Sequence, residues 1–206
     1  MEFTQTLDNI ICEHYDINGQ SICIGADDYT NELRTHILKI FELLILHYGF
    51  TIDHKSKCNA SSAVKNDTYL VWFQDGSQLF HVYEDGELLA ATKNVDDIIK
   101  VITCNINENV AYKYHNICGH MVKIGNATLE VINNYKIMVE HHGFIGNDDR
   151  LENIEHNGDF IYDGEYGFYN LIGGFENDIE YDVITSNFND ILWYMNYEFG
   201  MYNEFD

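Results

Sequence analysis

One stretch of this chain occurs twice, and that repetition limits the possible folds more than any other feature. Gly19-Gln20-Ser21-Ile22-Cys23-Ile24-Gly25 returns as Gly119-His120-Met121-Val122-Lys123-Ile124-Gly125. Each copy precedes a helix-patterned run, and each run stops at a Gly-Phe pair, Gly49-Phe50 and Gly143-Phe144. Asn9-Ile10 is echoed by Asn109-Val110, and Ile17-x-Gly19 by Ile117-x-Gly119, at an offset of 100. The offset drops to 94 at Gly143 and to 93 where Asp97 meets Asp190. Matches in the same order, with the same local signals, read as an internal duplication. The plainer alternative is one α+β domain with coincidental echoes.

The local signals are consistent from level to level. Residues 9–17 are strand-like, Asn18-Gly19 has the left-handed preference of a two-residue hairpin, and 21–24 returns. Asp27, Asp28 or Thr30 caps a helix in which Leu33, Ile37, Phe41, Leu44 and Tyr48 recur at spacings of three and four. Gly49 suits its left-handed close. Residues 53–67 are polar and read as a loop. A meander follows: strands at 69–73, 78–83 and 88–92, with Asp75-Gly76 and Asp85-Gly86 as turns. A short helix at 95–104 ends the unit. In the second unit Asn126 is the expected cap, and Leu129, Ile132, Tyr135 and Val139 the apolar face of the helix. Asn157-Gly158 and Asp163-Gly164 mark turns, and 188–197 matches 95–104. The expected fold is therefore α+β: two tandem pseudo-repeats, 1–104 and 105–206, each an antiparallel β-hairpin, a helix, a β-meander and a helix.

Proline is absent and no Gly/Ser-rich linker appears, so the two units should abut. Residues 1–12 lack a basic region and a long apolar core, and the apolar run near 37–46 is broken by Lys39 and Glu42. A soluble cytoplasmic protein is expected, with no membrane partner. Five cysteines, Cys12, Cys23, Cys58, Cys104 and Cys118, form no CxxC pair and fit reduced thiols better than a disulfide framework.

The charge is lopsided. Net charge is −23, with −9 in residues 1–104 and −14 in 105–206. Arg150 is the last basic residue, and 13 acids follow it. Direct nucleic-acid binding needs clustered Lys and Arg and is not expected. The expected partner is a basic protein, a nuclease or another nucleic-acid-binding protein. The residues assigned to it are Asp148, Asp149, Glu152, Glu155, Asp159, Asp163, Glu165, Glu176, Asp178, Glu180 and Asp182. Carboxylates spaced along aromatic-rich strands can imitate a row of phosphates or dock on an Arg/Lys-lined channel. A solvated acidic surface with no partner is the plainer alternative.

Nothing in the chain carries a strong catalytic or metal signature, and no cofactor or metal is expected. His115-x2-Cys118-x-His120 and Cys12-x-His14 lack structural-zinc spacing. Residues 153–165 lack the Asp-first, Glu-twelfth pattern of a calcium loop. No Gly-x-Ser-x-Gly, Walker or Gly-x-Gly-x-x-Gly sequence occurs. In composition and architecture the chain resembles phage-encoded inhibitors of restriction or CRISPR (anti-CRISPR) nucleases, acidic and non-enzymatic, which would act in the cytoplasm of a bacterial host. An immunity or antitoxin protein for a basic nuclease toxin is the alternative. An enzyme with a cryptic site near His115–His120 is a further one.

Overall fold

The protein is described by a computed structural model. The structure describes residues 4–7, 10–25, 29–53, 62–74, 77–104, 106–155, 157–174 and 180–198. The class is mixed α+β, with antiparallel strand pairs throughout and four helices among the described residues. Two compact units divide the chain, Met1–Leu89 and Ala90–Asp206.

In the first unit β1 (Thr4–Leu7), β2 (Ile10–Ile17) and β3 (Gln20–Gly25) form a three-stranded sheet. Asn18 and Gly19 turn the hairpin with φ of 52° and 79°, and the Gly19 N–H donates to Asp16 Oδ1 at 3.1 Å. A residue that accepts positive φ is needed at both positions, which is why Asn-Gly stands there. Helix α1 (Asn31–Tyr48) follows, and of the three expected caps Thr30 is the one used: its Oγ1 accepts from Leu33 N at 3.2 Å. Asp27 and Asp28 lie outside the described residues. Gly49 closes the helix at φ 74°, and the Phe50 N–H returns to the Leu44 carbonyl at 3.1 Å. The Gly-Phe pair is thus a helix stop in which glycine takes the left-handed turn and the buried phenylalanine clamps it.

Strands β4 (Thr51–Ile52), β5 (Ser62–Lys65), β6 (Tyr69–Gln74), β7 (Leu79–Glu84) and β8 (Glu87–Thr92) run in sequence order. Ile37, Phe41 and Leu44 of α1 are fully buried, and Phe41 meets Phe80 at 5.8 Å while Phe73 meets Phe80 at 4.9 Å. Arg34 of α1 pairs with Glu13 of β2 at 3.0 Å and ties the helix to the hairpin. The expected loop at 53–67 is corrected in part: Ser62–Lys65 is a strand, paired through Ser62↔Trp72 and Val64↔Leu70. Its turn is Asn66-Asp67, at φ 53° and 57°, without the glycine that usually announces a hairpin. The expected Asp75-Gly76 turn lies outside the described residues.

The second unit begins with the last residues of β8 and α2 (Val95–Ile102). The hairpin β9 (Tyr112–Ile117) and β10 (His120–Gly125) turns at Cys118-Gly119, with φ of 49° and 96°. Helix α3 (Leu129–His142) leads to β11 (Ile145–Asn147), β12 (Arg150–Asn153), β13 (Gly158–Asp163), β14 (Phe168–Gly174) and β15 (Glu180–Thr185), each paired antiparallel with the next. Ile184 of β15 also pairs with Ala91. Helix α4 (Phe188–Glu198) ends the described chain. Five strands therefore lie between the helices of each series, not the three expected.

Phe160 is the hub of this unit's core. Its ring lies 5.0 Å from Tyr135, 5.8 Å from Tyr169, 6.0 Å from Phe188 and 6.4 Å from Phe144. The α3 expectation needs correcting. Thr128 is the cap, accepting from Val131 N at 3.2 Å, because Asn126 is used to close the hairpin against Ala111. The buried face is Val131, Tyr135 and Met138, with Asn134 and His142, while Leu129 is 74 % exposed.

Candidate interaction surface

The sheet of the second unit has one face against its helices and one partly exposed face. Leu151, Phe160, Leu171 and Val183 point inward and are fully buried. Because side chains alternate along a strand, their neighbours point the other way. The register then aligns one row across five strands: Ile145↔Glu152, Glu152↔Asp159, Asp159↔Ile172 and Ile172↔Asp182. Adjacent members are roughly 5 Å apart, the strand spacing. Ile145 and Ile172 are 42 % and 39 % exposed. The row therefore sets two exposed isoleucines among three partly exposed carboxylates.

Glu152 and Asp159 are like charges directly opposite each other, an unfavourable pairing by itself. Arg150 resolves it, with Nε 2.8 Å from Glu152 Oε1 and 3.6 Å from Asp159 Oδ2. Asn147 Nδ2 also donates to Glu152. The hydrogen bonds from Arg150 and Asn147 hold the Glu152 carboxyl below its ordinary range, and the bond to Glu152 and the charge of Asp159 push the Arg150 guanidinium up. The last cation of the chain is thus spent inside the acidic row.

The other predicted acids do not join that row. Asp148 and Asp149 form the β11–β12 turn, where Asp148 accepts from Tyr114 Oη at 2.9 Å. Asp163 Oδ1 accepts from Glu165 N at 2.8 Å, so this pair shapes the turn after β13. These four lie at one end of the sheet. Glu155, in the β12–β13 turn, and Glu180, the first residue of β15, lie at the other. Glu176 and Asp178 lie outside the described residues. Among the described residues the expected set is brought together only as Glu152, Asp159 and Asp182.

A polar cluster that sequence reasoning passed over lies where α2 and α4 begin. Asp97, 1 % exposed, accepts on Oδ2 from Thr92 Oγ1 at 2.9 Å, Thr185 Oγ1 at 2.9 Å and Ser186 N at 3.0 Å. Thr92-x-Asn94-x-x-Asp97 and Thr185-x-Asn187-x-x-Asp190 share one geometry. In each, the Asn N–H donates to the Thr hydroxyl and the Asn side chain accepts from the N–H two residues on. That Thr-x-Asn-x-x-Asp spacing was visible in the sequence as a doubled helix cap. Beside it Lys93 Nζ lies 3.3 Å from the centre of the Trp193 ring; burial lowers the Lys93 pKa, while Asp190 opposes that shift.

At His115–His120, Cys118 occupies the hairpin turn and its thiol donates to Glu140 Oε1 at 3.1 Å. That bond raises the thiol's pKa and disfavours the nucleophilic thiolate. Among the described residues no group of three His, Cys, Asp or Glu side chains is arranged to hold a metal ion. Cys23, Cys104 and Cys118 are not in disulfides. His142 is buried, and burial followed by the neighbouring His141 lowers its pKa, so it stays neutral at the helix end. Among the described residues no helix is long and apolar enough to cross a membrane. Comparison with protein-family models, with curated proteins and with solved structures finds no match to this chain.

Proposed function

We propose that this is a non-enzymatic binding protein whose acidic sheet face docks on a basic, nucleic-acid-handling protein and occupies its phosphate channel. One observation carries the reading: the partly exposed row of Glu152, Asp159 and Asp182, set among exposed Ile145 and Ile172. The carboxylates steer an Arg/Lys-rich surface and fix its register, and the isoleucines supply apolar contact once water is expelled. In a chain of net charge −23 with a single Arg or Lys after Lys136, that attraction reaches beyond the row itself. The same physics serves a phage-type inhibitor of a restriction or CRISPR nuclease and an immunity protein for a nuclease toxin. The thiol's partner at Cys118 favours both over an enzyme at His115–His120.

Capture from a bacterial lysate at low and high salt, followed by competition of the captured protein against DNA or RNA, tests the reading. Asp159→Asn with Asp182→Asn slows association and flattens its salt dependence. Association that is indifferent to salt and to both substitutions, or a captured protein that still binds nucleic acid, refutes it.

The chain is further read here as a tandem duplication with copies 1–104 and 105–206. Three features support it. From β2 and from β9 onward the β-β-α-β5-α order recurs, and Gly49 and Gly143 stop equivalent helices with φ of 74° and 69°. Asp16 and Asn116, at the offset of 100, brace their hairpin turns through Gly19 N and Gly119 N. The doubled cap motif recurs at an offset of 93.

A further inference from the structure

The first unit carries a groove of about 570 Å³ that the acidic row does not involve. Val64, Leu70, Trp72 and Tyr83 line it. The register places Val64, Leu70 and Tyr83 side by side on adjacent strands, and Trp72 points the same way two residues along β6. All four side chains are partly exposed. Three carboxylates also line the groove, Asp53, Asp67 and Asp85, and among the described residues that line it none is Lys or Arg. The Asp85 N–H donates to the Thr68 carbonyl at 2.9 Å, which joins the two turns that carry Asp67 and Asp85. An aromatic wall ringed by carboxylates is complementary to a planar cation.

A second observation lies in the same strand row as Trp72. Ser62 and His81 are its direct neighbours on β5 and β7, only 4 % and 8 % exposed. Ser62 Oγ and His81 Nε2 have no hydrogen-bond partner among the described residues. The His81 ring lies 5.6 Å from the Trp72 ring, and His81 Nδ1 is 3.4 Å from Tyr83 Oη. Burial holds the imidazole neutral, with its pKa lowered to about 4. A neutral ring that donates from Nδ1 to Tyr83 keeps an acceptor lone pair on Nε2. The His81 ring beside Trp72 therefore carries no charge that would compete with a bound cation.

We propose that this groove is a docking site for an arginine side chain of a protein partner, with the guanidinium stacked on Trp72 and Tyr83 and paired with Asp67 and Asp85. The proposal rests on the reading above that the partner is basic, and it gives that partner a second, chemically specific contact. Arginine is favoured over lysine because its flat, weakly hydrated cation stacks on aromatic faces while its edge donates to carboxylates.

The test uses the full chain and two probes, acetylated tetra-arginine amide and tetra-lysine amide, titrated by calorimetry at roughly 150 mM salt. The arginine peptide binds at least about fivefold more tightly than the lysine peptide. Trp72→Ala, which leaves the net charge unchanged, weakens arginine-peptide binding by about tenfold. If Trp72→Ala fails to fold, Asp67→Asn with Asp85→Asn keeps the test: both positions are exposed turn residues at positive φ, where asparagine fits well. That pair weakens binding more than the charge-matched control Glu108→Gln with Glu130→Gln, two exposed acids outside both the groove and the acidic row. Equal binding of the two peptides overturns the proposal, as does indifference to the groove substitutions. Arginine-peptide binding that is lost on Asp159→Asn with Asp182→Asn but kept by the groove substitutions overturns the groove and leaves the acidic-face reading standing. Groove binding with no effect of Asp159 or Asp182 on partner association does the reverse.

Discussion

Replacing Asp97 by alanine should be among the most damaging single changes in the second unit. The carboxylate is 1 % exposed, and one oxygen accepts three hydrogen bonds of 2.9–3.0 Å, from two fully buried threonine hydroxyls and the Ser186 N–H. Removing that oxygen leaves the two threonine hydroxyls without their acceptor where water does not reach. Each unsatisfied buried donor costs about 1–3 kcal/mol, with some relief because a buried charge has gone too, so a loss of about 3–5 kcal/mol is expected. For a chain of this size that is roughly 6–20 °C in melting temperature. Asp97→Asn keeps an acceptor where the three donors converge and exchanges charged for neutral hydrogen bonds, at about 1–2 kcal/mol. Asp190, the matching residue of the second cap, is only partly buried and is 3.5 Å from the Thr185 hydroxyl. Burial, with Asp97 nearby, pushes its carboxyl above the ordinary value, so Asp190→Asn should cost less than Asp97→Asn. Denaturant unfolding followed by circular dichroism measures all three. Equal losses for Asp97→Ala and Asp97→Asn would sink the reasoning, since they would mean that charge, and not the number of donors served, sets the cost. So would an Asp190→Asn variant less stable than Asp97→Ala.

Acidification should destabilise the fold through His81. Burial lowers its pKa from the ordinary 6.5 to about 4, so between those values the unfolded chain binds the extra proton and the folded chain does not. Stability attributable to this group is full above pH 6.5 and falls by about 1.4 kcal/mol per pH unit toward pH 4. Urea midpoints of the protein and of His81→Gln at pH 7 and 5.5 check this, since the variant should show the smaller drop. Phe160→Ala removes the ring shared by four aromatic neighbours and should cost about 3–5 kcal/mol, read as a lower urea midpoint; a loss below about 1 kcal/mol would contradict its place as the hub. Gly164→Ala places a methyl group 2.7 Å from the Gly125 carbonyl oxygen, a backbone atom that cannot swing aside, and should lower stability by about 1–3 kcal/mol in the same assay.

Parts of the fold were legible from local chemistry alone. Asn18-Gly19 and Asp85-Gly86 are turns because left-handed backbone is inexpensive only for such residues, and Gly49 and Gly143 stop helices for the same reason. Of the α1 stripe Leu33, Ile37, Phe41, Leu44 and Tyr48, the middle three are buried as the spacing predicts and the two ends are only partly so. The failures have physical causes too. Strand β5 escaped notice because its turn, Asn66-Asp67, contains no glycine. The buried face of α3 was misplaced because Asn126, a good cap in isolation, is used by Ala111 in the hairpin, and the helix begins at the next competent residue, Thr128.

The charge shows the same division. That the chain is strongly acidic, and that Arg150 is its last cation, is composition and needs no fold. Which carboxylates act together is a matter of register. Strand pairing sets Glu152, Asp159 and Asp182 in one row with Ile145 and Ile172, and it sends Asp148, Asp149, Asp163 and Glu165 to one end of the sheet and Glu155 and Glu180 to the other. The groove beside Trp72 and Tyr83 was equally invisible, since its members come from four separate segments between Asp53 and Gly86. Local sequence sets turns and helix ends because those depend on the dihedral preferences of one or two residues. Surfaces depend on which distant strands lie side by side, and that is decided only when the apolar faces of the whole unit are buried together.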